Sequence, residues 1–298
     1  MKRNPNFKIL NPEQVQIFQI LNAANRSEIV ILNLFRTWCL KFRVLLLRGL
    51  FRDWITIMAI AVCIVSLVFT TICYADPFKI PEKFVYDLTW TGIKAGTASL
   101  ELRNERDAVK IVSIARSAEW LSVFYTVEDR VESTLLKAST PPTIGLPVKY
   151  RIKIREGKHR RDKEVIFDRT AGKAKYIDHI NNEKKDFDVP VSVFDPISSF
   201  YHLRTLKLTD GESVYVTIFD SKKVWNVEVK VLKRERVTLP MGTFDTVVVK
   251  PLMKSEGIFY RKGEILIWLT DDAKHIPVKL QTKVAVGHIT ATLVQGAY

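Results

Sequence analysis

Cysteine is scarce in this 298-residue chain and absent from its larger part. Cys39, Cys63 and Cys73 are all there is, so residues 76–298 hold no disulfide, no thiolate nucleophile and no cysteine metal site. Histidine is sparse as well. His159, His179, His202, His275 and His288 form neither an H-E-x-x-H nor an H-x-H pair. No G-x-S-x-G elbow, phosphate loop or dinucleotide fingerprint occurs, and no cofactor is called for. Glycosidase-type carboxylates carry little local signature, so a glycan or peptide hydrolase stays open as an alternative. Its candidates are Asp271-Asp272, which read more simply as a turn, and His275 with His288, which lie in consecutive strand regions.

One stretch lacks charge, proline and glycine altogether. Ile55–Cys73 reads ITIMAIAVCIVSLVFTTIC, long enough to span a bilayer as a helix. Lys41, Arg43, Arg48 and Arg52 precede it and Tyr74-Ala75-Asp76-Pro77 follow, the order of a secretory segment with cleavage after Ala75. Basic residues before the run agree with export of what comes after it. The run is longer than a usual signal core and 54 residues stand ahead of it, so a retained membrane anchor is the other reading. Neither Cys63 nor Cys73 follows the small residue expected before a lipidated cysteine. Residues 1–54 read as a cytoplasmic extension or as sequence upstream of the true start. The expected location of 80–298 is the periplasm, free or tethered to the inner membrane.

Residues 1–75 carry nine Lys and Arg against three Asp and Glu, a share of +6 in the net +14; the exported part keeps +8. Such a balance favours anionic partners, lipid headgroups or phosphorylated glycans among them, without naming one.

After Pro81 the hydrophobic period becomes two. Phe84, Tyr86, Leu88 and Trp90 alternate with Val85, Asp87 and Thr89, and similar strands recur to Leu293 between turns such as Gly157, Ala171-Gly172 and Asn181-Asn182. Trp120–Tyr125 is predicted to form one helical turn. Asp195-Pro196 starts the best helix, an acceptor at the N-cap before proline at the first helical position, and the helix is expected to end near 207–210. No Gly- or Ser-rich linker divides 80–298. The expected architecture is mainly β, a curved antiparallel sheet or partly open barrel with one internal helix.

Four motifs occur in order: Tyr86-x3-Trp90-x-Gly92-Ile93-x-Ala95-Gly96-x-Ala98; Asp195-Pro196-x-Ser198-x2-Tyr201-x-Leu203-Arg204; Pro240-x-Gly242-x-Phe244-x-Thr246 with Pro251; and Ile267-Trp268-Leu269-Thr270-Asp271-Asp272 through Pro277 and Lys279. Over about 80–295 the chain thereby resembles the domain-of-unknown-function 3108 family. The resemblance implies an exported, β-rich bacterial envelope protein and supplies no activity, ligand or catalytic residue. Gly92 and Gly96 are expected to permit a tight reversal between strands.

Two ligand-site candidates emerge. Lys149, Arg151, Lys153 and Arg155 fall on one strand face, opposite Tyr150, Ile152 and Ile154, and Lys158, Arg160, Arg161 and Lys163 continue the charge. Such a row suits phosphates or an anionic membrane surface. It also reads as a solvated face that discourages edge pairing. Nucleic acid is excluded as a partner, since the charged face lacks interleaved aromatics and the chain is exported. The second candidate is aromatic: Trp90, Trp120, Phe124, Tyr125, Phe200, Tyr201, Trp225 and Trp268, lining a cleft for an acyl chain or filling the core. The favoured reading is a non-catalytic protein that binds an amphiphilic or anionic envelope component, lipid or glycolipid. A structural module docking a partner by a strand edge is the second reading.

Overall fold

The computed structural model describes residues 78–137, 144–220, 222–252, 264–284 and 286–297. The calls on 1–54, on Ile55–Cys73 and on cleavage after Ala75 lie outside these residues. Among the described residues no helix is long and apolar enough to cross a membrane. Cys73–Tyr298 is a compact unit of its own.

Fourteen strands form one antiparallel sheet in the order β8-β7-β6-β5-β4-β3-β2-β1-β14-β13-β12-β11-β10-β9. The first eight are β1 (Glu82–Trp90), β2 (Ile93–Glu105), β3 (Ala108–Ser117), β4 (Glu128–Leu136), β5 (Pro147–Glu156), β6 (His159–Asp168), β7 (Lys173–Asp178) and β8 (Glu183–Asp188). The other six are β9 (Ser213–Asp220), β10 (Lys223–Leu239), β11 (Gly242–Leu252), β12 (Ile265–Thr270), β13 (Pro277–Lys283) and β14 (His288–Ala297). Each half is a meander, and the pairing of β1 with β14 fuses them, Tyr86 opposite Leu293 and Leu88 opposite Ala291. The mainly β, curved-sheet expectation is therefore met. α1 (Glu119–Ser122) is the predicted short turn, and α2 (Pro196–Leu203) lies between the two edge strands in sequence.

The sheet curls around α2. Asp195 caps the helix, its Oδ1 accepting from Ile197 N and Ser198 N at 3.0 Å, while Ser198 Oγ accepts from Asp195 N. The other carboxylate oxygen, Oδ2, accepts from Ser133 Oγ on β4 at 2.6 Å. At the far end Arg204 donates to both Glu82 oxygens on β1, at 2.7 and 2.8 Å, and Nε donates to Lys274 O. Both side chains are sealed, 0% and 1% exposed. The guanidinium also lies 5.0–5.6 Å from the ring centres of Phe78, Phe84 and Tyr201. Burial alone would lower its pKa; Glu82 outweighs burial, and Arg204 stays charged.

The helix stops earlier than its apolar pattern predicts. After Leu203 the N–H groups of Arg204, Thr205 and Leu206 reach back three residues, to Tyr201, His202 and Leu203. Turning there aims Arg204 into its ion pair. β10 runs as far as Leu239, shifting register between Val231 and Lys233. Gly92, at φ +90°, makes the β1–β2 turn, but Gly96 is needed for a different reason: a Cβ there would stand 2.2 Å from Arg116 O on β3.

The rolled sheet closes through side chains and one backbone bridge, from Phe194 to Ile218 on β9. Phe219 on β9 meets Phe187 and Phe167 at 5.5 and 6.2 Å, and Lys222 pairs with Glu183. β8 and β9 are the two ends of the strand order, so this seam has no ladder. β8 itself reads EKKDFD, a charged edge that resists pairing with another chain.

Arg204→Met should lower unfolding free energy by about 3–5 kcal/mol, because Glu82 is left buried and unpaired. Pairing it with Glu82→Met should restore most of the loss, read as urea midpoints. Asp195 gives a second test. Burial raises its carboxyl pKa, against the hydrogen bonds from Ser133, Ser198 and Ile197 that lower it. A carboxyl raised in the fold binds its proton more readily there, so its ionisation costs stability as pH rises from 3.8 through the folded value. Asp195→Asn should keep the cap and lose that pH dependence in urea titrations between pH 4 and 7, whereas Asp195→Ala should cost about 1–2 kcal/mol.

Candidate functional site

The concave face of the sheet carries Tyr86 opposite Ala98 on β1 and β2, and Leu100, Ser113 and Val131 in a neighbouring row across β2–β4. From the other half Val216, Ile218, Val227, Val229, Ile267 and Leu280 meet them. α2 contributes Ile197, Phe200 and Leu203. Between them lies a half-open hollow of about 350 Å³. Its walls are almost wholly apolar, and small residues, Ala98, Ser113 and Ala291, stand where larger ones would fill it. That volume falls at the small end of ligand pockets.

A second hollow, about 590 Å³, continues along the same strands toward the end that holds α1. Leu88, Ala115 and Asp129, each next along its strand on this face, line it with Ala95, Trp90, Tyr125, Val284 and Val286.

The predicted aromatic set is thereby divided. Phe200 lines the first hollow; Trp90 and Tyr125 line the second. Tyr201 and Trp268 are buried and line neither. Tyr201 packs on Phe78 and Phe200, and burial lifts its hydroxyl pKa well above the ordinary phenol value. The Trp268 indole donates to Glu235, with the Lys279 ammonium 4.4 Å from the ring centre. Trp120 and Phe124 are exposed around α1.

The basic row lies on the convex face, across the sheet from the hollow. Tyr150, Ile152 and Ile154 are buried on the inner side while Lys149, Lys153 and Arg155 are exposed, as the alternation predicts. Most of the row is engaged. Lys149 and Arg151 pair with Glu164, Arg151 also with Asp162, and Arg155 with Glu128. Burial pushes the Glu164 carboxyl up, but Lys149, His179 and Arg151 outweigh it and hold it below the ordinary carboxylate range. Arg160 is opposite Arg155 and continues the row; Arg161 is opposite Ile154, on the inner side, where it donates to His159. The row and Arg161 therefore cannot grip one ligand together, nor can the row hold the polar head of a molecule seated in the hollow.

Ionisable groups elsewhere are bound into structure. Asp272 accepts from Thr270 Oγ1, Lys274 N and His275 N, and Asp271 accepts from Arg234, so this pair makes a turn. His275 precedes β13 and bonds Arg204 O, while His288 opens β14 opposite Lys283. They stand at opposite ends of that hairpin, and the structure does not bring them together. His202 stacks on Phe194 at 4.4 Å, and burial lowers its pKa. Among the described residues no cluster of His, Cys, Asp or Glu could hold a metal. Sequence reading missed Glu82 as the partner of Arg204, and it missed the small wall residues; only Ala98, inside a quoted motif, gave a local signal.

Three solved structures resemble the chain. A β-barrel-like protein of the DUF1849 domain from Brucella abortus has a TM-score of 0.49 at 14% identity, covering 73% of this chain and 97% of that one. A candidate lipoprotein from Parabacteroides distasonis has 0.32 at 11%, covering 74% and 96%. A candidate exported protein of YmcC-like fold from Bacteroides fragilis has 0.30 at 11%, covering 74% and 98%. No curated protein matches the chain. The model of the family described as protein of unknown function, DUF3108, matches residues 85–294, from β1 through β14 and with α2 between, and the chain belongs to that family.

Proposed function

We propose that this chain is an exported, non-catalytic envelope protein that takes the apolar part of an amphiphile, a lipid or glycolipid, into the hollow between α2 and the sheet. The hollow carries the proposal: about 350 Å³ of half-open space with nearly continuous apolar walls, between α2 and the inner face of the sheet. Burying an apolar chain there gains roughly 25 cal/mol for each Å² removed from water. The ring of ionisable groups that acid–base chemistry needs does not converge on it; Lys279 is the one charged side chain among its lining residues. The periplasmic location follows from the basic, apolar and small-residue order around Ile55–Cys73. The basic row, standing on the other face, is no part of this ligand's site.

The full chain purified from the envelope should carry co-purifying lipid, seen as a native mass that falls on organic extraction. Ala98→Phe places a ring in the hollow and should reduce the bound lipid at least tenfold while leaving the urea midpoint unchanged or raised. A wild-type chain with the same bare mass before and after extraction would end the proposal.

A further inference from the structure

The end of the sheet that holds α1 gathers several exposed large apolar side chains. β1 runs into this end and β2 leaves it, as do β3 and β4, β5 and β6, and β13 and β14. Their connections present Ile93, Val123, Phe124 and Val286 at 64%, 78%, 84% and 71% exposure, with Trp90, Trp120 and Tyr125 between them. Side chains of this size are seldom gathered in the open on one end of a domain.

The connections are tied to one another. The Trp90 indole donates to Val286 O, joining the β1–β2 and β13–β14 turns, and the Trp120 indole donates to Lys94 O, fixing α1 against β2. Gly157 donates to Thr126 O, and a Cβ on it would stand 2.7 Å from the Tyr125 ring, so the β5–β6 turn is seated on the α1 loop. Both indole N–H groups are thus satisfied within the protein. What the tips offer outward is hydrocarbon and ring surface.

Around that surface stand exposed Lys94, Arg116, Lys158 and Arg160. Lys94 bonds Asp87, and Arg160 uses one nitrogen on the carbonyls of Gly157 and His159. Of the acidic residues at this end, Asp87 is paired with Lys94 and Glu128 with Arg155, while Glu119 is exposed on α1. Apolar tips set in a basic rim match the interface of an anionic bilayer, where aromatic rings sit at headgroup depth and lysine and arginine meet phosphate. The tips stand on separate turns and leave the larger hollow opening between them, which is a poor template for a flat protein partner.

We infer that this end of the domain docks on an anionic lipid surface, Phe124, Val123, Ile93 and Val286 entering the interface and Lys94, Arg116, Lys158 and Arg160 contacting headgroup phosphates. This goes beyond the carrier reading and does not need the inner hollow to be occupied. The unit Cys73–Tyr298 has its own core and one continuous sheet, so it is testable alone.

Its flotation with vesicles of phosphatidylglycerol and of phosphatidylcholine decides the matter. The wild type should bind phosphatidylglycerol at least tenfold more tightly, and Val123→Ser with Phe124→Ser should lose at least tenfold with an unchanged urea midpoint. Lys94→Glu with Lys158→Glu should lose at least tenfold on phosphatidylglycerol, given about fivefold per basic residue, and little on phosphatidylcholine. Ala98→Phe should float like the wild type, which separates this inference from the carrier reading. Absence of flotation, or flotation indifferent to Val123→Ser with Phe124→Ser, would overturn the inference. So would a wild type that stays out of the vesicle fraction but self-associates through Phe124, which would assign the end to a protein contact.

Discussion

A guanidinium with no access to water organises this domain. Arg204 closes α2 onto β1 through both oxygens of Glu82, with three aromatic rings around it. Such a pair is expensive to desolvate, and its net contribution to stability is small beside what it forbids. With Arg204 locked at one end and Asp195 bound to Ser133 at the other, α2 has one position inside the sheet. The hollow exists because the helix is held by its two ends while its middle, Ile197 and Phe200, does not fill the space beside it. A continuous apolar contact would have drawn the helix onto the sheet.

This arrangement explains the second motif of the family in physical terms. Asp195 caps and reaches Ser133, Pro196 sets the first turn, Ser198 completes the capping box, Tyr201 fills the core and Arg204 ends the helix in its ion pair. None of these residues is positioned to react. The motif describes how the plug is fastened.

Much of the fold was legible from local alternation. Tyr150, Ile152 and Ile154 face in as their spacing predicts, and Asp195-Pro196 begins a helix where it should. The helix end was not legible. Its apolar pattern continues through Leu206, and the residue that stops it is bound to Glu82, 122 positions earlier. The candidate site was less legible still. Alternation says that the basic row and Tyr150 are on opposite faces, but only the order of strands says which face is hollow. The aromatics failed as a set for a related reason: Trp90 ends β1 and Trp120 lies in α1, where no pleat sorts side chains into inside and outside. Tyr201 and Trp268 lie mid-element and are covered.

The seam between β8 and β9 has a consequence for selectivity. In a fully hydrogen-bonded barrel the number of strands and their stagger fix the bore. Here the circumference is fastened by the Phe219, Phe167 and Phe187 rings, by Lys222 with Glu183 and by a single backbone bridge from Phe194 to Ile218, with no continuous ladder between β8 and β9. The bore is thus fixed by fewer backbone bonds than in a fully laddered barrel, closer to a clasp than to a tube. On the carrier proposal, a guest would be selected by its lack of polarity, with its girth accommodated within the range that the seam allows. A family of chains differing in length or branching would be accepted by one and the same fold.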